Sequence, residues 1–166
     1  MNKLTADQLQ EIRFLSVLPP KYLQQVAEIS QYRDFKGGDY IFHEGDPAKN
    51  VYLIESGSVS LKICAGGMGA KQIVTLGPGD LLGWSTLANH PEFVATAVAK
   101  GPVRMVEIDG AKLHAMCDTD QEFGYELLRR TLQVLSKRLI ATWTQLAEVY
   151  LPHYAPVTVG AAAQNE

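Results

Sequence analysis

Glycine-containing turns recur about every ten residues between residues 32 and 63, and this spacing constrains the fold more than any other feature. Short runs rich in β-branched and aromatic residues alternate with turns at 37–38, Gly45 and Gly57. Short, regularly spaced strands separated by glycine turns are typical of antiparallel sandwiches and barrels. The sequence therefore predicts a mainly β domain with a jelly-roll or barrel architecture.

A second stretch, residues 76–99, combines a turn, a helix start, a loop and a strand. Its first part, Gly77-Pro78-Gly79-Asp80, has the composition of a tight turn. Residues 84–88 fit one or two helical turns, whose first N–H groups have no partner within the helix and can face a ligand. Small and β-branched residues alternate from Val94 onward, which predicts a strand. Because these elements converge, we expect any binding chemistry to lie here.

This stretch resembles the phosphate-binding cassette of the cyclic nucleotide-binding domain family, to which the CRP/FNR-like sensor domains belong. The family pattern is Pro-Gly-Asp-x-Phe-Gly-Glu-Leu-Ala, then a short loop, then Pro-Arg-x-Ala-Thr. The ribose-binding glutamate of the family falls on Trp84, and its phosphate-binding arginine falls on Phe93. The resemblance implies a double-stranded β-helix, the jelly roll of the cyclic nucleotide-binding fold, with a degenerate cassette. The positions that match the pattern are Pro78, Gly79, Asp80, Gly83, Ala95 and Thr96.

The resemblance also defines a candidate ligand site, for which three functions are open. In the first, a ligand-sensing regulatory module takes an uncharged, partly aromatic ligand beside Trp84 and Phe93. In the second, these two side chains fill the cavity of a protein-interaction module that binds no small molecule. In the third, helix N–H groups and Thr96 hold cyclic AMP or cyclic GMP without an ion pair; no other cofactor is expected. The candidate site comprises Gly83, Trp84, Ser85, Thr86, Phe93, Val94, Ala95 and Thr96.

A heptad pattern marks the last part of the chain. Apolar residues follow one another at alternating spacings of three and four from Tyr125 to Val149. A helix over 121–150 would be about 45 Å long, which a small barrel cannot cover, so part of its seam is expected to meet a second copy of the chain. The predicted interface of this parallel homodimer consists of Leu128, Leu132, Leu135, Leu139, Thr142 and Leu146.

Helix-start signals flank the β-rich region. Thr5 and Gln8 form a capping-box pattern that predicts a helix over about residues 6–16, and Pro19-Pro20 begins a second helix. After the predicted closing strand, Asp109 is placed to cap a short helix over 111–116.

These elements predict three segments. We expect a sensor domain over residues 1–120, a dimerisation helix over 121–150 and a flexible tail over 151–166. Transcription factors that the chain resembles carry a helix-turn-helix after the long helix, and the tail is too short for one.

Composition and the distribution of polar residues favour a non-enzyme. The net charge of −3 gives no general attraction to nucleic acid or anionic membranes, and without a signal peptide or membrane span a cytoplasmic protein is expected. The four histidines have no paired ligand spacing, so no metal is expected, and Ser85 lacks a Gly-x-Ser-x-Gly elbow.

The glycine-rich segment 65–70 predicts a hairpin tip. Cys64 and Cys117 are interpreted as small buried hydrophobic residues.

Overall fold

The computed structural model of the protein describes residues 4–64 and 69–150. Two antiparallel four-stranded sheets form the domain, with strand orders β1-β8-β3-β6 and β2-β7-β4-β5. The predicted jelly roll with flanking helices and a long final helix is therefore confirmed. The strands are β1 (Ser30–Phe35), β2 (Tyr40–Phe42), β3 (Asn50–Ser56), β4 (Val59–Cys64), β5 (Ala70–Leu76), β6 (Leu81–Leu82), β7 (Thr96–Ala99) and β8 (Val103–Asp109). The helices are α1 (Ala6–Gln10), α2 (Pro20–Glu28), α3 (Trp84–Leu87), α4 (Gly110–Thr119) and α5 (Gln121–Tyr150).

The predicted glycine turns are present, and Gly57 shows why one of them requires glycine. Its φ is +87°, in the left-handed region that side chains with a Cβ rarely adopt. A Cβ at this position would collide with the carbonyl oxygen of Pro102. The chain can therefore turn from β3 into β4 beside residue 102 only because residue 57 has no side chain.

A continuous apolar cluster lies within the domain and is called the barrel core below. It forms because alternate residues of the strands face inward and remove their apolar surface from water. Phe35, Ile41, Ala48 and Val74 are partly buried against it. The barrel core consists of Phe42, Tyr52, Ile54, Val59, Leu61, Leu76, Leu82, Phe93, Ala97, Ala99, Val103 and Met105.

The first helix is shorter than predicted. The capping box of Thr5 and Gln8 is present, but α1 ends at Gln10 rather than near residue 16. The chain continues in turns, in which the Leu15 N–H donates to the Ile12 carbonyl at 2.8 Å. Leu9, Ile12, Leu15 and Leu18 are buried and spaced three residues apart, which suits three-residue turns as well as a helix. Periodicity therefore identified the buried side correctly and the secondary structure wrongly.

Two other boundaries differ from the sequence prediction. The strand expected from Val94 begins at Thr96, because the backbone of Phe93 is engaged by the segment before β3 instead. Helix α4, predicted over 111–116, extends over Gly110–Thr119, and the Asp109 side chain caps it by accepting from the Lys112 N–H at 3.0 Å. The predicted hairpin tip lies largely outside the described residues, as does the predicted tail over 151–166.

Helix α5 confirms the long helix predicted over 121–150. The chain divides into two compact units, residues 1–131 and 132–166, so the first part of α5 belongs to the unit that contains the sheets. In that part, Phe123 and Leu127 are buried, while Leu128 is exposed. The predicted boundary after residue 120 stays a prediction. Among the described residues, no helix is both long enough and apolar enough to cross a membrane.

The start of α5 is fixed by a hydrogen-bond cluster at Asp120. Its Oδ1 accepts from the Phe123 N–H at 3.0 Å, and the Tyr22 hydroxyl lies 3.2 Å from Oδ1 and 3.1 Å from Glu122 Oε2. The rings of Tyr22 and Phe123 are 5.0 Å apart. The backbone N–H of Phe123, followed by the Tyr22 hydroxyl and Lys21, lowers the pKa of the Asp120 carboxyl.

A lowered folded-state pKa predicts a specific acid sensitivity. The ionised Asp120 stabilises the fold above its unfolded pKa of about 3.9, and this stabilisation is lost as the pH falls through the folded value. We expect Asp120→Asn to unfold more easily than wild type at neutral pH, with the difference shrinking as the pH falls below about 4. Urea unfolding across this range measures it. Parallel pH profiles for the two proteins would contradict the prediction.

Candidate functional site

The candidate site is built on the cassette, defined here as residues 77–96. Its first turn is tied to β3, since the Gly79 N–H donates to the Ile54 carbonyl at 2.7 Å and the Ile54 N–H donates to the Asp80 carbonyl at 3.1 Å. The Asp80 carboxylate accepts from the Gly77 N–H at 2.9 Å and pairs with Arg13 at 2.6 Å. The turn predicted from Gly77-Pro78-Gly79-Asp80 is thus held by the neighbouring strand and by the N-terminal segment.

Helix α3 confirms the predicted helical turn, and Gly83 immediately precedes it. Gly83 has a φ of +79°. A Cβ at this position would lie 2.9 Å from the Asn50 carbonyl oxygen and 3.3 Å from Cε1 of Phe93. The cassette backbone therefore lies directly against β3 and the Phe93 ring.

Substitution of Gly83 tests this close approach. Gly83→Ala is expected to lower the free energy of unfolding by about 1–3 kcal/mol, because it combines a strained φ with overpacking. Gly77→Ala is a matched control in the same cassette, since a Cβ there meets nothing within 4 Å. The control should leave stability unchanged or raise it by up to about 1 kcal/mol. Equal denaturation midpoints for both variants would contradict the packing described here.

Phe93 occupies the position of the family arginine and is part of the barrel core. It is 5% exposed. Its ring stacks on Phe42 with the centroids 3.8 Å apart and the planes at 15°. Its backbone is fixed on both sides, because the Phe93 N–H donates to the Asp46 carbonyl and its carbonyl accepts from the Gly45 N–H, both at 2.9 Å. An apolar ring is thus buried at a position where the family places a cation.

The α3 residues of the predicted site have different surroundings. Trp84, at the glutamate position, is half-buried, while Ser85 and Thr86 are buried. The Thr86 hydroxyl donates to the Asn50 carbonyl at 2.9 Å, and its own carbonyl accepts from Nε2 of His114 at 2.8 Å. The Thr86 hydroxyl is therefore engaged by β3 in this structure, and the assignment of Thr86 to a ligand site stays a prediction.

The remaining predicted residues lie at the end of the cassette. Val94 is exposed and Ala95 is buried. The Thr96 hydroxyl accepts from the Glu44 N–H at 3.0 Å, which ties β7 to the segment after β2. Of the eight predicted residues, the structure brings Gly83 and Phe93 into direct proximity.

Sequence reasoning missed Phe42. Phe42 ends the short run Tyr40–Phe42, in which no alternation of polar and apolar residues indicates the inward face, and its aromatic partner comes from a distant segment. His114 donates from Nε2 to the Thr86 carbonyl near the end of α3.

The polar groups nearest the barrel core are mutually satisfied. Glu107 is buried and accepts from Gln31 Nε2 at 2.7 Å and from Asn50 Nδ2 at 3.0 Å. Burial, followed by the charge of Glu107, raises the pKa of Tyr52 to about 12, so its phenol stays neutral at physiological pH.

The described cysteines and metal-ligating side chains form no centre. Within the described residues, no group of three or more His, Cys, Asp or Glu side chains is suited to hold a metal ion. Cys64 and Cys117 are both free thiols. The prediction that Cys64 is buried is wrong, because it ends β4 at an exposed position.

The jelly roll and its cassette define a class of ligand-responsive domain, and a family profile agrees. The profile described as "Cyclic nucleotide-binding domain" matches residues 32–120, more than half of the 166-residue chain. The chain therefore belongs to the cyclic nucleotide-binding domain family.

Several similar proteins are regulators by name, and others are named as an enzyme or a channel. The chain is 28% identical over 130 residues to the CRP-like cAMP-activated global transcriptional regulator of Mycobacterium tuberculosis, covering 78% of this chain and 56% of the regulator. The first curated relatives that it matches are longer proteins, of which the chain spans 21% to 56%.

Two solved structures are similar in both fold and sequence. A cyclic nucleotide-binding protein from Geobacter metallireducens has a TM-score of 0.74 and 29% identity, covering 82% of this chain and 98% of that chain. The regulatory subunit of a cAMP-independent protein kinase A from Trypanosoma brucei, as a triple mutant bound to cAMP, has a TM-score of 0.66 and 26% identity. That match covers 84% of this chain and 49% of the subunit.

Proposed function

We propose that this chain is a non-enzymatic regulatory module of the cyclic nucleotide-binding fold that does not bind cyclic AMP through the usual contacts. The observation that carries the proposal is the burial of Phe93 against Phe42 in the barrel core. In this packing, the side chain at the phosphate-binding position contributes to the stability of the domain itself.

The electrostatics of the cassette support this proposal. Between Gly83 and Thr96 the sequence contains no lysine or arginine. A phosphodiester removed from water without a cationic partner pays a large desolvation cost. Free N–H groups at the start of a single helical turn offset only part of that cost. We therefore expect cyclic AMP to bind weakly or not at all.

A similar protein supports loss of the nucleotide response within this fold. The Trypanosoma brucei subunit is described as part of a cAMP-independent kinase, and the mutant bound to cAMP includes a threonine-to-arginine substitution. We infer by analogy that the present chain has likewise diverged from cyclic AMP, through loss of the arginine and glutamate of the cassette.

We propose that the module pairs two copies of the chain through α5. Six apolar residues of the seam are exposed in the single chain, with Tyr125, Leu128, Leu132, Leu139, Leu146 and Val149 between 49% and 72% exposed. Exposed apolar residues at heptad spacing are covered when two helices coil around each other. Leu135 is half-buried, and Thr142 is the polar seam position, with its hydroxyl bonded to the Arg138 carbonyl at 2.9 Å.

A second candidate function is sensing of an uncharged, planar ligand. The half-buried Trp84 indole favours this candidate, because it offers an aromatic face at the start of α3. Such a ligand would act by binding one arrangement of the cassette more tightly than another.

Trp84 fluorescence separates these candidates. In a Trp143→Phe background, which leaves Trp84 as the sole tryptophan, we expect no change on adding cyclic AMP or cyclic GMP. A response to neutral planar aromatic compounds such as indole supports the second candidate, and no response to any compound supports the interaction module. A response confined to cyclic nucleotides and abolished by Thr96→Val would overturn the proposal.

A further inference from the structure

A cavity of about 620 Å³ lies outside the barrel core, between the segment before β3, the loop after α3 and the start of α4. Thr86, His90 and His114 contribute to its wall. Of its lining residues, only Ala48 also packs against the barrel core. The volume falls within the range of small-molecule sites, which is about 300–1,000 Å³.

The cavity wall carries an unneutralised positive charge. Lys49 is exposed, and among residues 4–64 and 69–150 its ammonium has no ion-pair partner. Asp109 is the acidic residue of the wall, but its Oδ1 accepts from the Lys112 N–H at 3.0 Å and its Oδ2 lies 3.8 Å from Lys112 Nζ. The acidic charge is therefore balanced by Lys112, and the charge of Lys49 is not.

Two imidazole rings share this wall, and each has one nitrogen engaged by the protein. Nδ1 of His90 lies 2.7 Å from the Glu92 carbonyl oxygen, and Nε2 of His114 lies 2.8 Å from the Thr86 carbonyl oxygen. Within residues 4–64 and 69–150, no hydrogen bond or ion pair engages the second nitrogen of either ring. Pro91, which follows His90 in the chain, adds an apolar surface to the cavity wall.

We infer that this cavity is a second binding site, for a small organic anion whose phosphate or carboxylate meets Lys49 and whose planar body lies against the imidazole rings. Lysine binds such groups as a point charge, and imidazole and proline rings offer flat surfaces to an aromatic body. The inference is independent of the proposed function, because it involves neither Trp84 nor Phe93.

Such a ligand would contact the cassette from the side of β3 and α4. Thr86 joins the three elements, since its hydroxyl donates to the Asn50 carbonyl and its carbonyl accepts from His114. The Gly110 N–H donates to the Lys49 carbonyl at 3.0 Å, which fixes α4 to the same segment. Thr86, a residue of α3, therefore lines the cavity and is hydrogen-bonded to both β3 and α4.

Histidine NMR with phenyl phosphate as the probe tests the site. In the 166-residue chain with labelled histidine rings, each ring assigned by single substitution, phenyl phosphate should shift the His90 and His114 resonances saturably below about 10 mM. His43, which does not line the cavity, should not move. Benzyl alcohol, which has no anionic group, should give no saturable shift at the same concentrations.

Lys49→Gln should weaken binding of phenyl phosphate about fivefold, as expected for one solvent-accessible charge pair. Lys71→Gln is a charge-matched control on β5 of the other sheet and should bind like wild type. No saturation in wild type, equal affinity in Lys49→Gln, or an equal shift of His43 would each overturn the inference. None of these outcomes depends on whether cyclic AMP binds to the cassette.

Discussion

The double variant Trp84→Glu, Phe93→Arg is expected to bind cyclic AMP about two to four decades more tightly than the wild-type protein. An arginine–phosphate contact and a glutamate–ribose contact are each worth about 1.5–3 kcal/mol as charge-assisted hydrogen bonds. Together they amount to about 3–6 kcal/mol, which corresponds to that change in affinity. Titration calorimetry of the two proteins under the same salt conditions measures the difference.

The same variant should be less stable than wild type without ligand. Phe93→Arg removes the ring stacked on Phe42 and introduces a cation into an apolar cluster. Cyclic AMP would neutralise that cation, so it should raise the melting temperature of the variant by mass action.

An uncharged variant, Trp84→Gln with Phe93→Met, separates the gain of charge from the loss of aromatic packing. It should gain no affinity for cyclic AMP. A folded Trp84→Glu, Phe93→Arg protein with no gain in affinity would contradict the assignment of these two positions. An equal gain in the uncharged control would contradict the electrostatic explanation.

Leu139→Asp is expected to convert the protein from a dimer into monomers. Leu139 lies at the middle of the α5 seam and is 49% exposed in the single chain. In the proposed dimer the substitution buries a carboxylate on each helix, at a cost of several kcal/mol. Sedimentation at about 50 µM should show a wild-type dimer, because an interface of about −8 kcal/mol still holds at that concentration.

Thr144→Asp is the matched control for this substitution. It places the same charge on α5 five residues later, at an exposed position outside the seam. The control should remain dimeric and as helical as wild type. A wild-type monomer at 50 µM, or dissociation of both variants alike, would contradict pairing through the seam.

Local rules were sufficient to predict several elements from the sequence. The turns at Gly45 and Gly57 require positive φ, which glycine supplies most readily. The heptad spacing from Tyr125 to Val149 predicted α5. These features depend on neighbouring residues, which a sequence displays directly.

The packing of the cassette could not be predicted in the same way. Nothing near Phe93 in the chain indicates that its ring stacks on Phe42, because that contact joins two distant segments. Thr86 was predicted to face a ligand, but the approach of β3 provides a carbonyl for its hydroxyl. The predicted extent of α1 was also wrong. A three-residue apolar repeat does not distinguish a helix from successive turns.

The central claim is that this family member does not bind cyclic AMP through the usual contacts of its cassette. Titration calorimetry of cyclic AMP into the wild-type protein tests it most directly. We expect no binding, or a dissociation constant of about 100 µM or weaker, because the cationic and ribose-binding groups are absent and Phe93 lies in the barrel core. A sub-micromolar constant with one site per chain would contradict the claim.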